Sequence, residues 1–267
     1  MKCKRRDDAD ARKAWRSDMQ VKEIYELLGR VSPFENQEAW DNGGLQIGGL
    51  ADEVSEIVLS LEVDESVVER LKPKSLLITH HPLIFKPLKN LDFGDYPNML
   101  VRELIKKECA LIAMHTSFDD SHLNAFVARE ALEFKEAYQE GCVAYAEVDS
   151  MDLKTLALRV RDALKLPVLK VVDAGREIKK IAIVCGAGFG LLPQIKEREN
   201  LCFLTGDIKY HDGMIARALG VSMIDIMHYE SEVFFPQVLQ TILQKHGYKA
   251  IIANSKNPFT FIKAEDE

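Results

Sequence analysis

The sequence predicts an α/β protein built as two lobes, and three observations carry that prediction. Short apolar runs alternate with segments of helical periodicity along most of the chain, the order expected of strands joined by helical crossovers. The pattern occurs twice, on either side of residues 133–141. With 267 residues, 47% of them apolar and 29% charged, the chain can bury one large core or two modest ones.

The first 18 residues are dense in both charge signs and have little apolar periodicity, so residues 1–18 read as a disordered, solvated extension or as sequence upstream of a true start at Met19. From Met19 onward Val21, Ile24, Leu28 and Val31 mark one helix face, and Pro33 follows it. Residues 40–49, Trp40-Asp41-Asn42-Gly43-Gly44-Leu45-Gln46-Ile47-Gly48-Gly49, form a turn-rich loop. Ile57 to Val63 alternates as a strand, Glu65 to Leu71 is a short helix, and Leu76 to Thr79 is a strand ending at His80-His81-Pro82. Leu100, Val101, Leu104 and Ile105 make a helical stripe. Ala110 to Met114 is a strand ending at His115, and Ser121 to Leu132 is helical.

The second set opens with a strand at Val143 to Val148 and a helix with Leu153, Leu156, Val160 and Leu164 on one face. Strands follow at Val168 to Val172, Ile181 to Cys185, Leu201 to Thr205 and Val221 to Met227. A helix from Ser231 to His246 must take Pro236 within its first turn or as a kink. The last strand falls near Phe259 to Ile262. No low-complexity linker separates the lobes, which predicts close packing between them.

Asp and Glu outnumber Lys and Arg by 42 to 35, so the chain is net −7 and has no overall basic field for nucleic acid or an anionic membrane. No stretch reaches the roughly 18 apolar residues of a membrane span, and the N-terminus lacks the apolar centre of a signal peptide. This reading places the chain in the cytoplasm. The five cysteines, Cys3, Cys109, Cys142, Cys185 and Cys202, are scattered and contain no CxxC pair. They read as buried thiols rather than a disulfide framework or a cysteine zinc site.

Three segments share one design, in which an apolar strand ends in histidine with a carboxylate or second histidine close behind. They are Leu-Leu-Ile-Thr-His80-His81, Ala-Leu-Ile-Ala-Met-His115 with Asp119, and Ile-Asp-Ile-Met-His228 with Glu232. A single histidine at a strand end is ordinarily a satisfied or surface residue; three such endings argue for convergence at the carboxyl ends of the strands, where α/β sheets bind ligands. Imidazole and carboxylate together suit Zn, Fe, Mn, Ni or Co, which the sequence does not distinguish. Adjacent histidines on an extended strand point in opposite directions, so His80 and His81 are expected to serve different ions. Two divalent ions about 3.5–4 Å apart, bridged by a carboxylate, would use His80, His81, Asp119, His228 and Glu232 and leave positions for water. Asp207 and His211, just past another strand, could orient a ligand or act as acid or base; Asp212 could instead be the N-cap of a helix. Gly186-Ala187-Gly188-Phe189-Gly190 departs from GxGxxG by one residue and could serve either an anion or close strand-to-helix packing.

Together Trp40 to Gly48, Thr79 to Pro82, His115 to Asp119, Thr205 to Asp212 and His228 to Glu232 resemble the GTP cyclohydrolase 1 type 2 homologues, ring-shaped proteins with a dinuclear metal centre. The resemblance runs from Met19 to the C-terminus. It implies that His80, His81, Asp119, His228 and Glu232 are the metal ligands, with none missing. One departure is Ile226-Met227 before His228, where many members have Ala-Gly. The resemblance implies two intertwined three-layer α/β lobes with mixed sheets, one from residues 19–133 plus 229–267 and one from 134–228, with the metal site between them. It also implies a homohexameric toroid and, as reaction, hydrolytic opening of the guanine imidazole ring of GTP to give formate and 7,8-dihydroneopterin triphosphate for folate biosynthesis. His115 or His211 would then be the proton shuttle. The competing readings are another metal-dependent hydrolase, acting on a phosphoester or amide, and a non-catalytic metal-binding ring or scaffold.

Overall fold

The computed structural model describes residues 19–262. The expectation for residues 1–18 lies outside the described residues.

The first helix, α1 (Val21–Val31), buries Val21, Ile24, Leu27 and Leu28 on one face and is followed by Pro33, which cannot continue it. Five strands form the first sheet: β1 (Gly44–Ile47), β2 (Glu56–Ser60), β3 (Ser75–Thr79), β4 (Ala110–Ala113) and β11 (Ile251–Ile252). Their order is β1-β4-β3-β2-β11, with only β1 antiparallel to its neighbour. The crossovers are α2 (Glu65–Arg70), which Asp64 caps by accepting from the Val67 N–H at 2.8 Å, and α3 (Asn98–Lys106).

A continuous helical segment, α4 (116–131), follows β4; its α-turns Thr116–Phe118 and Asn124–Phe126 alternate with π-turns Asp119–Leu123 and Val127–Ala131. The second sheet then assembles from β5 (Tyr138–Glu140), β6 (Val143–Met151), β7 (Lys170–Val172), β8 (Ile178–Ile183), β9 (Leu201–Thr205) and β10 (Ser222–Asp225), in the order β5-β6-β8-β9-β10-β7. Its centre, β8-β9-β10, is parallel and its flanks are antiparallel. Helix α5 (Leu153–Leu164), a 3-10 turn (Gly188–Gln194), and helices α6 (Tyr210–Ala218), α7 (His228–Glu232) and α8 (Phe235–Lys245) complete the fold.

The pleat divides the core into layers. Ile57, Leu59, Leu76 and Ile78 of the first sheet join Ile181, Ile183, Cys202 and Leu204 of the second in one central cluster. The alternating residues Val58 and Leu77 pack outward with α2 and α3, and Ala182 and Phe203 pack outward with Ala216 of α6. Each sheet is therefore covered on both faces, the mixed α/β arrangement the sequence predicts. No helix among the described residues is long and apolar enough to cross a membrane.

Several local expectations need correction. The turn-rich segment at 40–49 contains β1, whose Gly44 takes φ +102°. The strand expected at Phe259 to Ile262 does not form, because β11 occupies the edge beside β2 and the Phe259 N–H bonds the Asn257 side chain instead. The helix expected from Ser231 is split into α7 and α8, with Pro236 in the first turn of α8. Helix α6 begins after Lys209; Asp212 is not its N-cap but sits one turn in, accepting from the Lys209 N–H at 2.9 Å.

Candidate metal centre

Six parallel strands, three from each sheet, run into one cluster. Glu62 follows β2, His80 and His81 follow β3, and His115 follows β4; Gly186 follows β8, Asp207 follows β9 and His228 follows β10. These residues, or the groups bonded to them, surround a cavity of about 620 Å³ lined by His81, His115, Asp119, His228 and Glu232 among others.

Each of four imidazoles is fixed through Nδ1. His80 donates to the Met114 carbonyl at 2.9 Å, His81 to Glu62 at 2.6 Å, His115 to Asp41 at 2.8 Å and His228 to Asp207 at 2.8 Å. That tautomer turns every Nε2 lone pair toward the centre, as ligating histidines require. His80 Nε2 is buried without a hydrogen-bond partner, 3.5 Å from Asp119 Oδ1, which is equally unpartnered. The Nε2 atoms of His81 and His228 face each other at 3.2 Å, each 3.1 Å from Glu232 Oε2. One donor atom each from His80, His81 and His115 fits within 4.8 Å, and so does one each from His81, His228 and Glu232. Opposed lone pairs beside buried carboxylates repel unless a cation or proton lies between them, so the donor set fits divalent metal ions.

Protons respond to the same crowding. Burial raises Asp119 and the neighbouring Glu232 charge adds to it, giving about 8. Burial also opposes ionised Glu232, but His81 and His80 outweigh it and hold Glu232 well below the usual carboxylate range. Burial pulls His228 down, yet Glu232 and Asp207 raise it to about 9; His81 is raised well above its ordinary value by Glu232 and Glu62 against the same burial. Asp41, despite burial, is held at about 2 by His115 and Thr116.

Local backbone geometry explains how these side chains arrive. Asp119 opens a π-turn, a rare form that recurs at functional sites. Its carbonyl accepts from the Gln139 side chain at 2.8 Å and the Asn124 side chain at 3.3 Å. His228 and Glu232 stand four residues apart on α7 and so share a face. Gly186 lies against them with φ +62°; a Cβ there would meet Glu232 Oε1 at 2.2 Å. Gly206 is equally constrained, since its Cβ would lie 2.8 Å from the backbone of Met227 and His228.

The structure thus brings together all five expected ligands and His115. His211 is not among them: it is exposed on α6, its ring against Tyr210. His80 and His81 do not diverge as an extended pair would, because β3 ends at Thr79 and the chain bends, leaving the rings 4.8 Å apart. Asp207 takes the orienting role through His228. In the glycine turn, the Gly186 N–H bonds Ser231 and the Gly188 N–H bonds Thr205, so the turn serves close packing. Glu62 and Asp41 are not legible in the sequence as partners of His81 and His115, because Glu62 falls inside the strand expected at Ile57 to Val63, which ends at Ser60, and Asp41 falls in the turn-rich loop.

A family model described as Duf34/NIF3 (NGG1p interacting factor 3) matches residues 19–258. The chain belongs to the Duf34/NIF3 family. Among curated relatives, GTP cyclohydrolase 1 type 2 of Helicobacter pylori is 41% identical over 242 residues, covering 91% of this chain and 99% of that one. The GTP cyclohydrolase 1 type 2 homolog of Campylobacter jejuni is 42% identical over 244 residues, covering 91% of this chain and 100% of that one. A Staphylococcus aureus crystal structure superposes with a TM-score of 0.82 at 26% identity, covering 92% of this chain and 100% of that one.

Proposed function

We propose that this Duf34/NIF3 protein is a metal-dependent hydrolase whose two divalent ions are held by His80, His81, Asp119, His228 and Glu232, with GTP as substrate and formate and 7,8-dihydroneopterin triphosphate as products. The observation that carries the reading is the set of four imidazole Nε2 atoms converging on two buried carboxylates. The names of the 41% and 42% identical relatives support the choice of GTP. When bound, such ions supply Lewis acidity that acidifies water and stabilises developing negative charge.

The chain's own residues set up the proton transfers. Asp41 stays ionised and fixes His115 with its proton on Nδ1, so His115 Nε2 faces the cavity as a base and can return the proton to a leaving nitrogen. The exposed His211 is left without that task. Glu62 and Asp207 orient His81 and His228 in the same way. Incubating metal-loaded protein with GTP should release formate and a pterin; neither product appearing would overturn the GTP reading.

A second reading, hydrolysis of a different small molecule by the same centre, is favoured by one feature. No lysine or arginine among the described residues lines the cavity. A panel of phosphoester and amide substrates separates the two readings.

A further inference from the structure

Three aromatic residues stand at the rim of the metal cavity with much of their surface uncovered. Trp40 is 58% exposed, Phe85 43% and Tyr96 69%, and all three line the cavity together with His115. Large exposed aromatics grouped around a pocket mark a binding surface more often than isolated ones do. Trp40 and Phe85 lie 5.9 Å apart at 55°, and Trp40 and His115 5.9 Å apart at 75°, so neither neighbour stacks on the indole face to face.

The segment carrying Trp40 is fixed in place. The Glu38 N–H bonds Thr116 Oγ1 at 3.0 Å, the Asp41 N–H bonds the Glu38 carbonyl at 2.9 Å, and the Asp41 carboxylate bonds His115 and the Thr116 N–H. The backbone on both sides of Trp40 is thereby anchored to the start of the helix that carries Asp119. Glu38 also lines the cavity, half-buried, and among the described residues no group hydrogen-bonds its carboxylate. A carboxylate accepts only, so it suits a ligand edge that presents N–H donors.

We infer that Trp40, Phe85, Tyr96 and Glu38 form a subsite for a planar, hydrogen-bond-donating heterocycle, which stacks on the aromatic rim and offers its N–H edge to Glu38 while its reacting atom reaches the metal centre. Recognition then falls on the ring. The absence of lysine and arginine from the described lining leaves phosphates no ammonium or guanidinium to hold them. The inference deepens the proposed reaction and rests on it for the choice of a guanine ring as probe.

Equilibrium dialysis of the full-length protein against guanosine tests it. Wild-type protein is expected to bind guanosine, with Trp40→Ala and Glu38→Gln each weakening binding by about tenfold or more and Trp40→Phe, which keeps a stacking face, staying within about threefold. Adenosine, which lacks the adjacent ring N–H and amino donors, should bind about tenfold more weakly than guanosine. No binding of guanosine, or wild-type affinity in Trp40→Ala or Glu38→Gln, overturns the subsite. The formate assay keeps the two proposals apart. Guanosine binding with the expected variant effects but no formate sinks the reaction and leaves the subsite standing. Formate release with an unchanged KM for GTP in Trp40→Ala does the reverse.

Discussion

At the residue scale, the centre depends as much on the acceptors behind the imidazoles as on the imidazoles themselves. Asp207 is exposed and touches the cluster only through His228 Nδ1, so Asp207→Asn changes ring orientation and basicity without disturbing the core. It should lower metal affinity by about 10- to 100-fold, read by competition with a chromophoric chelator, while the melting curve of the metal-free protein stays unchanged. Glu62→Gln should act likewise through His81. Unchanged affinity in both would mean that the Nδ1 partners are incidental. The pH dependence follows from the same atoms. His228, raised to about 9, Asp119, raised to about 8, and His81, raised well above its ordinary value, carry protons at neutral pH that a bound ion must displace. Affinity should therefore rise with pH from neutrality upward, by up to about tenfold per pH unit for each proton released. Isothermal titration in buffers of different ionisation enthalpy counts those protons, and a pH-independent affinity would contradict the assignment.

At the element scale, the join between β9, β10 and α7 places His228, and it is strained at one residue. Met227 adopts φ 59° and ψ 150°, a region that only glycine enters freely, at the position where the sequence resemblance leads one to expect Gly. Relief of that strain is offset in part by glycine's added chain entropy and by the lost packing of Met227 against the central core, so Met227→Gly should stabilise the protein by no more than about 1 kcal/mol, a Tm rise of at most about 2–4 °C. Gly206→Ala, across the same join, puts a Cβ 2.8 Å from two backbone atoms. It should cost about 2 kcal/mol or more. Calorimetry of the two variants checks both signs, and a stabilised Gly206→Ala would refute that close approach. Elements of this kind mark the limit of what the sequence discloses. The parallel strands and their terminal histidines were legible because apolar runs ending in His are local signals. The π-turn that presents Asp119, the bend that turns His81 beside His80, and the pairing of Glu62 and Asp41 with histidines 19 and 74 residues away depend on packing between segments. The tail at 259–262 misled for the converse reason: its alternation is real, but the sheet edge is already taken by β11.

At the scale of the whole molecule, two surfaces expose more apolar area than a lone chain needs. Met214, Ile215 and Leu219 are each 45–49% exposed along α6 and just past its end, and Phe259, Phe261 and Ile262 are 72%, 42% and 88% exposed on the C-terminal segment. Exposed apolar side chains grouped in this way suit contact between subunits, and a closed ring of copies would cover them without leaving free ends. We propose, as the family resemblance implies, that the chain forms a homohexamer, which would sediment at about six times the chain mass. Ile215 and Leu219 lie one turn apart, so Ile215→Glu sets a charge in the middle of the α6 face. Neither residue lines the metal cavity. Ile215→Glu should thus sediment as a smaller species while keeping its metal content, which separates loss of assembly from loss of the fold. A wild-type protein that sediments as a single chain would remove the ring, and a variant that still sediments with the wild type would remove α6 from its interface. If the variant splits the ring and also loses metal, the centre depends on a neighbouring copy, and the ligand set drawn from one chain would be incomplete.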